Sequence, residues 1–212
     1  TFVWESETPL QWQAGQYLYY TLSHDNPDDR GIKRWFTIAA PPFEGNPRIT
    51  TRFAGEKGST FKATLHELQV GETIEATEPE GDFIVESTER PIVYIAGGIG
   101  ITPYRAILLQ LDHDGADIQG CLLYANRNDE YPFKDELEAV AERHAGFSIS
   151  YFADPQHIEL EDIQKAASEL TNPLYYISGP KPMVEGYKDK LVAAGIPEAD
   201  IKLDDFPGYE NI

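Results

Sequence analysis

Residues 91–103 of the 212-residue chain read PIVYIAGGIGITP, and this stretch decides the fold. An apolar run, Ile92 to Ala96, ends abruptly at Gly97-Gly98, after which Gly100 and Pro103 lead into a helical pattern. In an open parallel sheet, such a strand–turn–helix unit brings backbone N–H groups and a helix N-terminus towards a phosphate. Proline suits the first helical turn, where its missing N–H costs nothing. The stretch therefore predicts a phosphate-binding turn, with a tight structural turn as the alternative.

From Pro91 onwards the chain alternates apolar strand patterns with amphipathic helix patterns. The predicted strands are PIVYIA, GCLLYAN, FSISYFA, LYYIS and IKLDDF, and the predicted helices lie near 103–112, 133–145, 159–170 and 181–194. Five strands joined by four crossovers are typical of a doubly wound parallel sheet.

Before Pro91 the pattern is different: short segments rich in aromatic and β-branched residues are separated by turns. Strands are predicted in GQYLYYTLS (15–23), KRWFTIAA (33–40) and RITTRFA (48–54), and a strand pair in ETIEATEPEGDFIVES (72–87). A single helix is predicted in STFKATLHEL (59–68). Many short antiparallel strands indicate a small barrel or sandwich. The chain thus divides into two predicted domains, residues 1–88 and 89–212.

The composition excludes several classes of function. A formal charge of −19 disfavours nucleic acid and anionic membranes as partners. The longest apolar run is broken by glycines, so no membrane span is predicted in this segment. The single cysteine, Cys121, excludes a disulfide framework and a four-cysteine iron–sulfur centre within this chain, and the five histidines show no metal-ligand spacing. We expect a cytoplasmic protein, or a cytosol-facing module of a larger one.

Over essentially its whole length the sequence resembles the ferredoxin–NADP reductase family of flavoenzymes. RWFT (34–37) is similar to the family's Arg-x-aromatic-Ser/Thr flavin signature, and GSTF (58–61) to the segment that receives the FAD pyrophosphate. GGIGITP (97–103) resembles the nicotinamide-dinucleotide loop, SGPKPM (178–183) the Cys-Gly-Pro-x-x-Met segment, and DDFPGY (204–209) the C-terminal aromatic tail. The resemblance implies an antiparallel β-barrel FAD-binding domain followed by a doubly wound nicotinamide-nucleotide domain.

The same resemblance assigns roles to residues of the first domain. It places Arg34 on a flavin phosphate, where a planar fork of donors fits well. It places Phe36, usually a tyrosine in the family, against the isoalloxazine ring, and directs a hydrogen bond from Thr37 to flavin N5. For Ser59 and Thr60, a plain helix cap is the alternative role. The implied FAD-binding residues are Arg34, Trp35, Phe36, Thr37, Arg52, Phe53, Gly58, Ser59 and Thr60.

In the second domain the resemblance implies a site for NADH or NADPH. The glycines would approach the pyrophosphate, and Asn126 and Arg127 would meet the adenosine ribose. Arg127 either holds a 2′-phosphate, which favours NADPH, or stacks on adenine, while the neighbouring Asp129 and Glu130 favour NADH. The choice of donor stays open. The implied nucleotide-binding residues are Gly97, Gly98, Gly100, Thr102, Pro103, Asn126, Arg127, Gly179, Pro180, Met183 and Phe206.

Four residues are implied to act at the reacting rings: Thr37, Thr102, Ser178 and Phe206. Ser178 stands where many relatives have a cysteine near the nicotinamide C4, so we expect retuned rather than abolished hydride transfer. Phe206 resembles the aromatic residue that covers the flavin. Its alternative role is that of an ordinary core residue on the last strand.

The resulting hypothesis is an FAD-dependent NAD(P)H oxidoreductase. Electrons would pass from FAD to a separate acceptor protein, a covalently fused acceptor domain or oxygen. Because the chain begins at Thr1, we expect a piece trimmed from a longer protein, with the barrel lacking its first strand. Two alternatives stay open: a nucleotide-binding regulatory or electron-transfer subunit with little turnover, and a flavin-free nicotinamide dehydrogenase. The latter needs acid and base residues that the sequence does not supply.

Overall fold

The first half of the chain is built from short antiparallel strands. The computed structural model describes residues 1–53 and 58–206. In the first half they form β1 (Phe2–Val3), β2 (Tyr17–Thr21), β3 (Lys33–Thr37), β4 (Arg48–Ile49), α1 (Thr60–Glu67) and β5 (Glu75–Ala76). Within these ranges the strands make two hydrogen-bonded sheets, β3-β2-β5 and β1-β4, and every pairing is antiparallel.

Helix α1 and the strands enclose one apolar core. Phe61 and Leu65 lie four residues apart and therefore share the inward face of α1, where both are fully buried. They pack with Leu18 and Tyr20 of β2 and with Ile38, which directly follows β3. This core fixes the position of β3 and of the start of α1, the two elements that carry RWFT and GSTF.

Two predicted strand segments are shorter than expected. Within 48–53 only Arg48–Ile49 is strand, and within 72–87 the structure has only β5 and one isolated bridge, between Tyr17 and Glu80. The predicted second member of the 72–87 strand pair was therefore wrong. The segment around Ile84 is hydrogen-bonded to the second half instead. The carbonyl oxygen of Ile84 accepts hydrogen bonds from Tyr176 Oη at 2.9 Å and from Lys202 Nζ at 3.2 Å.

The second half is an open parallel sheet with helices on both faces, as predicted. Its elements are β6 (Ile92–Gly97), α2 (Thr102–His113), β7 (Gly120–Asn126), α3 (Lys134–Arg143), β8 (Phe147–Ala153), α4 (Leu160–Ala167), β9 (Leu174–Pro180), α5 (Lys181–Ala193) and β10 (Ile201–Phe206). The strand order is β10-β9-β6-β7-β8, and all pairings are parallel.

The central strand β6 is buried along its whole length. Tyr94 packs in the cluster beneath α2 and α3, whereas Ile95 points to the opposite face, with α4 and α5. The strand order reverses between β6 and β9, and ligands of open α/β sheets bind outside the carboxyl ends of the strands at such a point. The Gly97-Gly98 turn and Pro180 therefore lie where a ligand is expected.

Among the described residues, no helix combines the length and apolar content needed to cross a bilayer.

Candidate cofactor cleft between the two halves

A cleft of about 620 Å³ lies between the two halves, and both halves contribute to its walls. One wall comes from β3 and the segments around β4 and α1, and the other from the carboxyl ends of the parallel strands. The predicted site residues in these walls are Arg34, Trp35, Phe36, Thr37, Arg52, Phe53, Gly58, Ser59, Gly97, Gly98, Thr102, Asn126, Arg127, Pro180, Met183 and Phe206. Residues as distant in sequence as Arg34 and Phe206 thus line one cleft.

The remaining predicted residues, Thr60, Gly100, Pro103, Ser178 and Gly179, do not line this cleft. Gly100 is buried against β9, and a Cβ atom on it would lie 2.2 Å from the carbonyl oxygen of Ser178. The missing side chain at Gly100 is therefore explained by close packing of the turn on β9. Ser178 itself is fully buried.

On the β3 wall, Arg34 is held in place by several acceptors. Its Nη1 donates to the carbonyl oxygens of Arg30 at 2.7 Å, Gly31 at 3.0 Å and Lys33 at 2.8 Å. Its Nη2 forms an ion pair with Asp28 at 2.6 Å. Although partial burial opposes it, the amide of Arg30 and the guanidinium of Arg34 hold the pKa of Asp28 below its ordinary value. The guanidinium is therefore oriented before any ligand arrives.

Phe36 and Thr37 follow on the same strand. The ring of Phe36 rests on the core, with its centroid 5.9 Å from that of Phe61 and 6.1 Å from that of Tyr20, and it also lines the cleft. Thr37 is buried, at 6% exposure. The strand thus presents an aromatic surface with a hydroxyl group beside it.

Two buried polar atoms of this wall have no partner among the described residues: Arg34 Nε and Thr51 Oγ1. An unsatisfied buried donor is rare in proteins and calls for an explanation. Both residues line the cleft, so a ligand rich in acceptor oxygens would satisfy them. A dinucleotide such as FAD has such oxygens, and the residues present fit it.

The N-terminus of α1 already has several hydrogen bonds within the protein. Ser59 caps the helix, its Oγ accepting from the amide of Lys62 at 3.2 Å. The amide of Thr60 donates to Asp28 at 3.2 Å, and the Thr60 hydroxyl lies 2.9 Å from His24 Nε2. Ser59 therefore does act as the predicted cap, while the amide and hydroxyl of Thr60 face Asp28 and His24 rather than the cleft.

The glycine turn forms the opposite wall. Residues Gly98–Ile101 make a 3-10 turn that runs directly into α2, and Gly98 has a φ of 56° that favours glycine. A Cβ atom on Gly97 would lie 2.3 Å from Met183 Sδ, so glycine lets Met183 pack over the turn. Thr102 is almost fully buried and donates to the carbonyl oxygen of Ile99 at 3.1 Å. The turn is closely packed against Met183, and its residues Gly97, Gly98 and Ile99 line the cleft.

Arg52 connects the two walls. It belongs to the first half, yet its Nη2 donates to Asn126 Oδ1 at the end of β7. The amide of Arg127 donates to the same oxygen at 3.0 Å. Arg52 was predicted to bind FAD together with the residues of the first half; its side chain in fact points towards the opposite wall, close to Gly98.

Ser178 has a partner that the sequence analysis did not identify. Its Oγ donates to Asp204 Oδ2 at 2.9 Å, and the two residues are register partners on β9 and β10. Burial raises the pKa of Asp204 to about 7, with the Ser178 hydrogen bond acting in the opposite direction. The contact is partly buried, and neither residue is part of the cleft lining.

Cationic side chains outnumber carboxylates in the cleft lining, the reverse of the balance in the whole chain. Its lining includes five cationic side chains, those of Arg30, Arg34, Arg52, Lys62 and Arg127, but a single carboxylate, that of Asp154. In a chain with a net charge of −19, this concentration of cations indicates a site for anionic ligands.

Nine lining residues were not among the predicted site residues: Arg30, Thr50, Thr51, Lys62, Ile99, Ala125, Asp154, Gln156 and His157. Asp154, Gln156 and His157, which lie in the loop after β8, could have been predicted from the sequence. Because the carboxyl ends of parallel strands meet at one edge of the sheet, the loop after the third strand was a candidate from the topology alone.

Comparisons with known proteins agree with this geometry. Residues 94–189 match the family of oxidoreductase NAD-binding domains. The chain is 32% identical over 206 residues to a flavohemoprotein of Xylella fastidiosa, covering 92% of this chain and 51% of the relative. It is 24% identical to the ferredoxin reductase component of 3-ketosteroid-9-alpha-monooxygenase from Mycobacterium tuberculosis, covering 95% and 57%. The chain thus spans about half the length of these curated relatives.

Solved structures share the fold. The FAD/NAD-binding domain of nitric oxide dioxygenase from Vibrio cholerae superposes with a TM-score of 0.74 at 24% identity, covering 93% of this chain and 86% of that one. The ferredoxin–NADP reductase of Plasmodium falciparum superposes with a TM-score of 0.74 at 17% identity, covering 93% and 84%. The predicted combination of an antiparallel β half and a doubly wound α/β half is confirmed.

Proposed function

We propose that this chain, a member of the ferredoxin–NADP reductase-like family, is an FAD-dependent NAD(P)H oxidoreductase that passes electrons from a nicotinamide nucleotide to a separate acceptor. The main support for the proposal is that the RWFT strand and the glycine turn line the same electropositive cleft. Residues 1–88 would form the FAD-binding domain and residues 89–212 the nicotinamide-nucleotide domain.

The first half would hold the flavin. Arg34 supplies a preoriented guanidinium for a phosphate, with Nε still able to donate. Phe36 offers its ring for stacking, and Thr37 offers a hydroxyl beside it. Bound FAD would supply the chemistry of the site, a ring system that takes up a hydride and releases electrons singly.

The second half would hold the nicotinamide nucleotide. The backbone of Gly97 and Gly98 and the N-terminus of α2 face the cleft, where they would receive the pyrophosphate. Thr102 fixes the turn at the point where the nicotinamide would approach the flavin. Hydride transfer needs alignment and exclusion of water rather than a proton donor. The lining does include His157 and Asp154, 3.9 Å apart, but both side chains are largely exposed and the proposed chemistry does not require them.

The acceptor would be a redox centre outside this chain segment, either in a separate protein or in a covalently fused domain. The names of the relatives support this: one is a flavohemoprotein and another is the reductase component of a monooxygenase. Given the acidity of the chain, we expect an acceptor that approaches the cationic rim of the cleft, near Arg30, rather than the acidic surface elsewhere.

Reduction of ferricyanide, a small one-electron acceptor, tests the proposed function. The purified protein is supplied with NADH or NADPH and with FAD, FMN or no flavin. We expect turnover with FAD and much less with FMN, since FMN lacks the pyrophosphate and adenosine. Failure to reduce ferricyanide with either donor would contradict the proposal, and FAD binding without turnover would favour a regulatory subunit.

A further inference from the structure

Arg105 is a buried arginine that the cofactor cleft does not use. It lies on α2, three residues after Thr102, and is 1% exposed. Its guanidinium is nevertheless fully engaged. It donates to Glu136 through Nε at 2.6 Å and Nη2 at 2.9 Å, to Glu44 through Nη2 at 2.7 Å, and to the carbonyl oxygen of Ala39 through Nη1 at 2.7 Å.

These partners come from both halves of the chain. Glu136 lies on α3, in the same half as Arg105, whereas Glu44 and Ala39 lie in the first half. Ala39 is fully buried and stands two residues after Thr37, the last residue of β3. One guanidinium group therefore joins the helix that follows the glycine turn to the segment that follows the RWFT strand.

Neighbouring contacts reinforce this connection along α2. The ring of Phe43 stacks on His113 with a centroid separation of 4.1 Å. The amide of Phe43 donates to Gln110 Oε1 at 3.2 Å. The turn Pro42–Glu44 is thus attached to α2 at Arg105, Gln110 and His113. Of these, Arg105 is the most buried and the nearest in sequence to Thr102, which lines the cleft.

We propose that Arg105 is a positioning residue, a clasp that sets the spacing between β3 and the glycine turn through Glu44 and Ala39. A buried ion pair is weak evidence of added stability, since desolvation offsets much of its attraction. It does fix geometry, because the planar fork of arginine accepts few arrangements of its acceptors. This inference rests on the proposed function, in which the flavin and the nicotinamide must meet across the cleft.

Weakening the contacts of Arg105 would change the spacing between the two walls of the cleft and so affect the reaction without any direct contact with the cofactors. Displacement of a reacting group by about 1 Å can reduce a rate on the order of 100-fold. The contacts that hold FAD within the first half alone would be unaffected. We therefore expect a defect in the limiting rate of flavin reduction with little change in FAD affinity.

The two carboxylates offer a matched pair of variants. Glu44→Ala removes the acceptor from the other half, whereas Glu136→Ala removes the acceptor from the same half, and both act on the same guanidinium. Arg48→Ala is a further control, since Glu44 also forms an ion pair with Arg48 at 3.2 Å within the first half. Arg105→Lys keeps the positive charge but lacks the planar set of guanidinium donors. It provides the alternative test if the Glu44→Ala variant fails to fold.

Two measurements separate the clasp from the proposed function. In the first, spin labels at Glu67→Cys on α1 and Glu161→Cys on α4, in a Cys121→Ser background, report the distance between the halves in protein without FAD or nucleotide. In the second, stopped-flow absorption with FAD bound gives the limiting rate of flavin reduction by NADH or NADPH. A flavin that is not reduced in the parent protein would count against the proposed function, while the spin-label distances would still decide the clasp.

We expect Glu44→Ala and Arg105→Lys to broaden the distance distribution and to slow flavin reduction at least about tenfold. Glu136→Ala and Arg48→Ala should keep the parent distribution and a rate within about twofold of it. Equal effects of Glu44→Ala and Glu136→Ala, or an unchanged distance distribution in both Glu44→Ala and Arg105→Lys, would overturn the proposal.

Discussion

At the scale of single residues, the cleft combines preoriented groups with unsatisfied ones. Arg34 has its Nη1 and Nη2 atoms bonded within the protein, and only its Nε lacks a partner among the described residues. A group that is already oriented loses little entropy when a ligand binds, so less of its interaction energy is offset by ordering. This arrangement makes Arg34 the best single test of the flavin site.

Arg34→Ala should weaken FAD binding by about 10- to 100-fold, as expected for loss of a charge-assisted contact. The affinity for the nicotinamide nucleotide should change by less than about threefold, because that site lies on the other wall. Fluorescence titration with FAD and calorimetry with NADH and NADPH measure the two affinities. Arg143→Ala, at an exposed arginine that pairs with Asp112, controls for the lost charge. Equal losses for both ligands would contradict the assignment.

Arg127→Ala tests the choice of donor. If Arg127 holds a 2′-phosphate, the variant should raise the KM for NADPH by at least about tenfold and leave that for NADH nearly unchanged. The reason is that only NADPH carries the additional phosphate. Steady-state kinetics with both donors give the ratio. A ratio equal to that of the parent protein would remove Arg127 from this role.

The sequence predicted the local part of the site and missed the distant part. Arg34, Phe36 and Thr37 were predictable because they lie together on one strand in a recognisable order. Asp204 and Arg105 were not, since their partners are remote: Ser178 lies 26 positions from Asp204, and Ala39 lies 66 positions from Arg105. Such contacts depend on the register of strands and on how the halves pack.

At the scale of elements, the glycine turn and β9 pack too closely to allow a side chain between them. Gly100→Ala should reduce the free energy of unfolding by about 2 kcal/mol or more, because its Cβ atom would meet the Ser178 carbonyl oxygen at 2.2 Å. Gly186→Ala is the matched control: a Cβ atom there has nothing within 4 Å, and alanine favours the helix by about 1 kcal/mol. Urea denaturation measures both. A fully stable Gly100→Ala variant would show that the turn can shift.

The β9–β10 pair predicts a pH dependence. The pKa of Asp204 is about 7 in the folded protein, because of burial, and about 4 when the chain is unfolded. Between about pH 4 and pH 7 the Asp204 carboxyl keeps its proton in the folded state and releases it in the unfolded state. The contribution of Asp204 to the free energy of unfolding is therefore fully present below about pH 4 and is lost as the pH rises through 7. Ionised Asp204 therefore destabilises the protein at alkaline pH.

Asp204→Asn removes that titration. Its free energy of unfolding, relative to that of the parent protein, should increase by up to about 3 kcal/mol between pH 5 and pH 8. Urea denaturation of both proteins at several pH values gives the difference and cancels the other titrating groups. A difference that does not vary with pH would mean that Asp204 keeps an ordinary pKa.

The elements of the second half were predicted well and those of the first half less well, for a physical reason. In the second half, strands and helices follow their own apolar periodicity. In the first half, the residues after β4 leave the sheet to line the cleft, and Ile84 gives its carbonyl oxygen to side chains of the second half. An alternating pattern predicts an extended segment but does not show which partner its backbone will bind.

At the scale of the whole molecule, charge and architecture act together. The chain is strongly acidic, yet five cationic side chains line one cleft at the seam between its halves. With this charge we expect the acidic surface to disfavour nucleic acid and anionic membranes, whereas the cationic cleft would attract a dinucleotide. Arg105 attaches the two walls of this cleft to each other, so the spacing across it is set by the fold.

The central claim is that reducing equivalents cross the cleft from a nicotinamide nucleotide to FAD. An anaerobic titration of the FAD-reconstituted protein with NADH and, separately, with NADPH tests it most directly, followed by the visible absorption of the flavin. We predict rapid bleaching by at least one donor at a ratio of about one nucleotide per flavin. A flavin that binds but keeps its oxidised spectrum with both donors would contradict the account.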